Sequence, residues 1–152
     1  MGLHAVDVSM QLLLPGLFTV ILLFAAGICL FLSIYAFRRY VSKEALFFAC
    51  LTLAITFYAG GYAFELLNTT VSGMLLWVRI EYIGVAVLPG FWLLFAFQYS
   101  GNGKWLSPQV IGAFFFIPTV TFVLNYTNEF HHLYYSAMRV NTEAPFPLLS
   151  VD

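Results

Sequence analysis

The chain has 152 residues, of which 62% are hydrophobic and 9% charged, against about 45–50% and about 25% in ordinary soluble domains. A composition this apolar excludes a water-soluble globule and points to an integral membrane protein. Six Lys and Arg against seven Asp and Glu leave a net charge of -1, so there is no basic field to hold a nucleic-acid backbone.

A helix needs about 20 apolar residues to cross the hydrocarbon, because each residue rises about 1.5 Å and the core is about 30 Å thick. Four stretches meet that length, at about 12–37, 45–67, 74–99 and 109–126. The expected fold class is therefore an all-α, polytopic transmembrane helix bundle, one sensor-sized unit over 1–152. Cys29 and Cys50 lie inside these apolar runs, where a thiol packs as a small hydrophobe. The first run is longer than the apolar core of a signal peptide and no basic residue precedes it, so it reads as a retained helix.

Links over 38–44, 68–73 and 100–108 are short, which makes neighbouring helices antiparallel. Arg38, Arg39 and Lys43 fall in the first link and Lys104 in the third, while the second carries no charge. Basic loops stay in the cytoplasm. The expected orientation places the N-terminus and the tail 127–152 outside, in the cytoplasmic membrane. A tail with no span after it reads as the front portion of something longer, or a shortened version of it.

Three charged residues interrupt the apolar runs: Glu65 near the end of the second, and Arg79 and Glu81 in the third. Each costs roughly 2.5–3.5 kcal/mol within a span unless paired or wetted. Folding the second and third helices back on each other brings Glu65 and Arg79 to within roughly 4–5 Å in depth. Arg79 and Tyr82 share a face, whereas Glu81 points to nearly the opposite side. The expected ion pair is thus Glu65 with Arg79, leaving Glu81 to a partner elsewhere. Such a pair pins the hairpin or lines an outward-opening ligand cavity; the remaining reading leaves Glu65 wet and unpaired at the headgroup level.

The third run carries Trp77, Arg79, Glu81, Tyr82 and Gly84, then Pro89, Trp92, Phe95 and Tyr99-Ser100-Gly101. With Phe64-Glu65-Leu66-Leu67 before it, and Pro118, Thr127, Asn128 and His131 after it, this pattern resembles the seven-helix sensor region at the N-terminus of many prokaryotic histidine kinases. The resemblance covers about 45–135. It implies a sensor with its N-terminus outside that hands a signal to a cytoplasmic kinase or cyclase domain. With four helices and no output domain, this chain is expected to be no enzyme. The histidines, His4, His131 and His132, fall on the outer side, away from any cytoplasmic ATP site.

His4, Asp7, Glu129, His131 and His132 form a weak candidate metal or proton site outside, because adjacent histidines do not present ligands on one helix face. Ordinary interfacial side chains in a solvated loop are the plainer reading, and no metal or cofactor is expected. Ala59, Gly60, Gly61 and Ala63, with Gly84, Ala86 and Gly90, offer strips for close helix approach. Pro89 and Pro118 break hydrogen bonds within their helices, and freed carbonyls at such kinks often lie near binding sites. Trp77, Tyr99, Trp105, Tyr126, Tyr134 and Tyr135 read as interfacial anchors, while Trp92 is expected to face the bundle interior beside Pro89. Gly101-Asn102-Gly103-Lys104 lacks the spacing of a phosphate loop.

The function expected is a signal-sensing membrane input domain whose ligand or switch residues are Glu65, Arg79, Glu81, Tyr82 and Trp92. Its partners would be the lipid bilayer, further transmembrane helices including a second copy, and a small-molecule or membrane-derived signal. A small transporter or channel subunit, or an assembly protein packed on a larger membrane partner, is the alternative.

Overall fold

A computed structural model describes the backbone over residues 2–39, 41–131, 138–141 and 148–151, and side chains over 16–39, 41–128 and 130–131. Four long helices follow one another, α1 (Gly2–Arg38), α2 (Lys43–Leu67), α3 (Val71–Tyr99) and α4 (Pro108–Tyr126). Each is long and apolar enough to cross a membrane. The short α5 (Asn128–His131) and an antiparallel hairpin of β1 (Met138–Asn141) with β2 (Leu148–Val151) follow. Met138 is opposite Val151 in that hairpin and Asn141 opposite Leu148. The tail thus carries a structured element that periodicity of the apolar runs does not announce.

Caps set the helix starts. Ser42, Thr70 and Ser107 each stand in extended conformation, and their hydroxyls accept from the N–H groups of Ala45, Gly73 and Val110 at 3.4, 3.3 and 3.4 Å. Pro108 adds a fixed φ at the first position of α4, where no N–H is needed. At the end of α2 the Asn68 amide donates to the Phe64 carbonyl at 2.7 Å. α1 starts about ten residues earlier than the apolar run, since nothing between Gly2 and Leu12 breaks a helix whose hydrogen bonds are all internal.

Packing runs in chain order, α1 on α2, α2 on α3 and α3 on α4. Small residues form the contact surfaces: Ala26, Ala36, Ala49, Ala54, Ala59, Ala63 and Ala86 are all buried. Two glycines bring α2 and α3 into backbone contact. A Cβ on Gly61 would stand 2.9 Å from the Cα, Cβ and N of Glu81, and one on Gly84 would collide with the Ala54 carbonyl. Backbones approach this closely between membrane helices because dispersion and hydrogen bonding, not exclusion of water, hold them together. The Ser33 hydroxyl adds a 2.9 Å hydrogen bond from α1 to the Ala49 carbonyl of α2.

Large apolar side chains point the other way. Phe24, Phe31, Phe116 and Ile117 are each about two-thirds or more exposed. A soluble monomer rarely presents so much apolar surface, whereas a bundle in lipid does.

Candidate functional site

The charged residues that interrupt the apolar runs, Glu65, Arg79 and Glu81, lie toward the end of the bundle that carries the α2–α3 link. Glu65, in the last turn of α2, is buried at 6% exposure. On α3, the Glu81 backbone abuts Gly61 of α2, one turn from Glu65, so the two acidic side chains stand within electrostatic reach of each other. Glu81, which the sequence leaves to a partner elsewhere, is thus a neighbour of Glu65 on α3. Two features of helix geometry explain the outcome. Gly61 and Glu65 are four apart and share the α2 face that abuts the Glu81 backbone, while Arg79 lies about 200° around α3 from Glu81. Side chains also lean toward the N-terminus of their own helix. In an antiparallel pair, Glu65 therefore leans away from the link and Glu81 toward it, so the two converge.

Tyr62, one turn before Glu65, lies within electrostatic reach of both carboxyls. The spacing to Glu65 is the sequence signal that could have found it.

Arg79 is half-buried on nearly the opposite side of α3, and its backbone carbonyl accepts a 2.6 Å hydrogen bond from the Tyr126 hydroxyl of α4. Tyr126 thus ties α4 to α3, a more specific task than anchoring at an interface. Tyr82, half-buried, lies one turn from Arg79 along α3. Asn125 is the buried residue of α4 at 3% exposure, and its Oδ1 has no hydrogen-bond partner among the described residues. Asn128 follows at 1% exposure. The sequence singles out neither asparagine, one at the end of the fourth apolar run and one just after it, because burial is set by packing between elements. Phe64 stacks on Trp77 at 4.4 Å between centroids and closes the α2–α3 junction beside this layer.

Trp92 does not join the cluster. It is 57% exposed, contrary to the interior position expected beside Pro89. Buried Gly90 and Leu94 occupy the packed faces of that turn of α3 and leave Trp92 facing outward.

Of the expected metal candidates, His131 has its Nε2 2.9 Å from the Thr127 hydroxyl, one turn away. The side chains of His4, Asp7 and Glu129, and the whole of His132, lie outside the described residues. Among the described residues no three His, Cys, Asp or Glu side chains come together as metal ligands would.

Among the described residues, clefts open on the flanks of the bundle. One of about 350 Å³ lies between the α1–α2 link and the end of α3, lined by Tyr35, Arg39, Glu44, Phe48, Phe95 and Tyr99. Gln98 donates to Glu44 across its edge at 3.0 Å, and the Arg39 guanidinium stands 5.7 Å from the centre of the Tyr35 ring. The other, of about 340 Å³, lies between α3 and α4 and has Pro89 and Pro118, each inside its helix, in its walls.

The family pattern of the N-terminal 7TM region of histidine kinase matches residues 21–152. No curated protein and no solved structure matches the chain. The match takes in α2, α3, α4 and the second half of α1, and with them every residue of the link-end polar layer. The chain is a membrane protein and belongs to the family of N-terminal 7TM regions of histidine kinases.

Proposed function

We propose that this chain is the multi-pass input domain, in the cytoplasmic membrane, of a histidine-kinase-type signalling protein, and that it carries no catalytic centre itself. The four helices span the bilayer with the N-terminus and the α2–α3 link outside. Arg38, Arg39, Lys43 and Lys104 at the opposite end support that orientation. The outer polar layer of Glu65, Glu81, Arg79, Tyr82 and Tyr126 is the element that responds to an outer or membrane-borne signal. Trp92 would take part from the surface, as a contact for lipid or a further helix.

The two neighbouring acidic residues, Glu65 and Glu81, where Gly61 of α2 abuts the Glu81 backbone of α3, carry this reading. A signal can move a bundle only by binding one packing better than another. Two acidic side chains beside touching backbones respond to small displacements, since their electrostatic interaction changes with separation. A second copy of the chain and further transmembrane helices are the partners such a domain would use to carry movement inward.

The test is phosphoryl-transfer output from the kinase carrying this region, with Glu65→Gln and Arg79→Met compared with the natural sequence. Loss or locking of the response with insertion and folding intact supports the reading. Unaltered signalling by both variants, or solute flux through vesicles holding the chain alone, refutes it, the latter in favour of a transporter or channel subunit.

A further inference from the structure

The cleft between α3 and α4 combines features that point to a ligand. Pro89 has no N–H to give the Val85 carbonyl, and Pro118 none to give that of Phe114. Val85, Pro89, Phe114 and Pro118 all line this one cleft. Residues four apart share a helix face, so each deprived carbonyl lies on the side of its helix where its proline faces the opening. Both fall in the middle reaches of their helices, where no water is available to replace the lost donor and an unsatisfied backbone group is costly.

Thr121 adds a hydroxyl to the same wall. Thr52, Thr56 and Thr127 turn their hydroxyls back onto carbonyls of their own helices at 2.6–2.9 Å. The walls are otherwise apolar, and the volume of about 340 Å³ suits one ring-sized molecule, since small-molecule pockets start at about 300 Å³.

Two ties bracket the opening. The ring of Phe115 seats against Gly90, where an added Cβ would be 2.8 Å away, and the Tyr126 hydroxyl holds the Arg79 carbonyl. Between these ties α3 and α4 do not close on each other.

We propose that this cleft binds a lipophilic phenol or alcohol dissolved in the bilayer, whose hydroxyl donates to the Val85 or Phe114 carbonyl while its apolar body fills the space between the prolines. This deepens the sensor reading, on which its signalling role rests, by naming the chemical class of the signal. A saturated acyl chain would fill the volume and leave both acceptors without a donor. A further helix would cover the cleft from outside instead of entering it.

The test uses the full chain in phospholipid nanodiscs and a 4-alkylphenol with a photoreactive diazirine in its tail, beside the methyl ether of the same compound. The expected result is phenol labelling over residues 85–89 and 114–121 at about five times the ether's, the ratio of one ordinary hydrogen bond. Pro89→Ala with Pro118→Ala supplies each carbonyl an intrahelical N–H, and should bring the phenol down to the level of the ether. Alanine favours the helix, so this variant keeps the fold, which circular dichroism checks. Thr121→Val, nearly isosteric, is the second variant and should lower phenol labelling less.

Equal labelling by phenol and ether would overturn the proposal in favour of an acyl-chain groove. Absence of label from both segments would overturn it in favour of a cleft covered by protein. A phenol preference that survives both alanines would overturn the assignment of the acceptors. Phenol-selective labelling with no effect on kinase output would uphold the site and count against the sensor reading alone.

Discussion

Gly60 and Gly61 are neighbours in sequence, yet alanine should act on them with opposite signs. They lie about 100° apart on α2, so Gly60 faces α1 and Gly61 faces α3. A Cβ at position 60 would meet the Ala26 methyl at 3.9 Å, an ordinary contact. Gly60→Ala should therefore gain the helix preference of alanine, about 0.5–1 kcal/mol. At position 61 the new carbon would stand 2.9 Å from three atoms of Glu81, two of them backbone. Relaxing that contact to about 3.5–4.0 Å moves α3 by about 0.6–1.1 Å, and overpacking of this kind costs about 1–3 kcal/mol. After the same helix gain, Gly61→Ala should destabilise by about 0.5–2 kcal/mol. Unfolding in mixed micelles with increasing dodecyl sulfate, followed by tryptophan fluorescence, measures both variants against the natural chain. Shifts of the same sign would refute the claim that α2 and α3 meet backbone to backbone at Gly61.

Further outcomes follow from particular contacts. Tyr126→Phe removes the hydroxyl that holds the Arg79 carbonyl at 2.6 Å and should cost about 0.6–1.5 kcal/mol in the same assay. An unchanged midpoint would mean that α4 is held by other groups. Glu65→Gln keeps a polar group beside Glu81 and should stay folded, whereas Glu65→Leu leaves Glu81 beside an apolar side chain and should destabilise by about 2–3 kcal/mol. Equal effects from the two would sink the claim that Glu65 and Glu81 are neighbours. In a background lacking Cys29 and Cys50, single cysteines at positions 43 and 104 should react with an impermeant thiol reagent from one side of the membrane and a cysteine at 70 from the other. Labelling of 43 and 104 from opposite sides would refute the four-span topology.

Much of this protein is legible in its sequence because lipid imposes a one-dimensional rule. A span must be long, apolar and internally hydrogen-bonded, so composition alone delimits α2, α3 and α4 to within a few residues and identifies Glu65, Arg79 and Glu81 as exceptional. Small residues likewise announced close approach, and Gly61 and Gly84 provide it. Which side chains meet is a different kind of quantity. It depends on the rotation of α3 about its axis and on its sliding along α2, two parameters that hydropathy leaves free. Tertiary packing set them by seating Gly61 against the Glu81 backbone, which turned Glu81 toward Glu65, left Arg79 on another face and put Trp92 on the outside. The same freedom explains why two prolines 29 residues apart in sequence share a single cleft. Helix existence is local, fixed by hydrogen bonds four residues apart, whereas helix rotation is settled by where neighbouring surfaces fit.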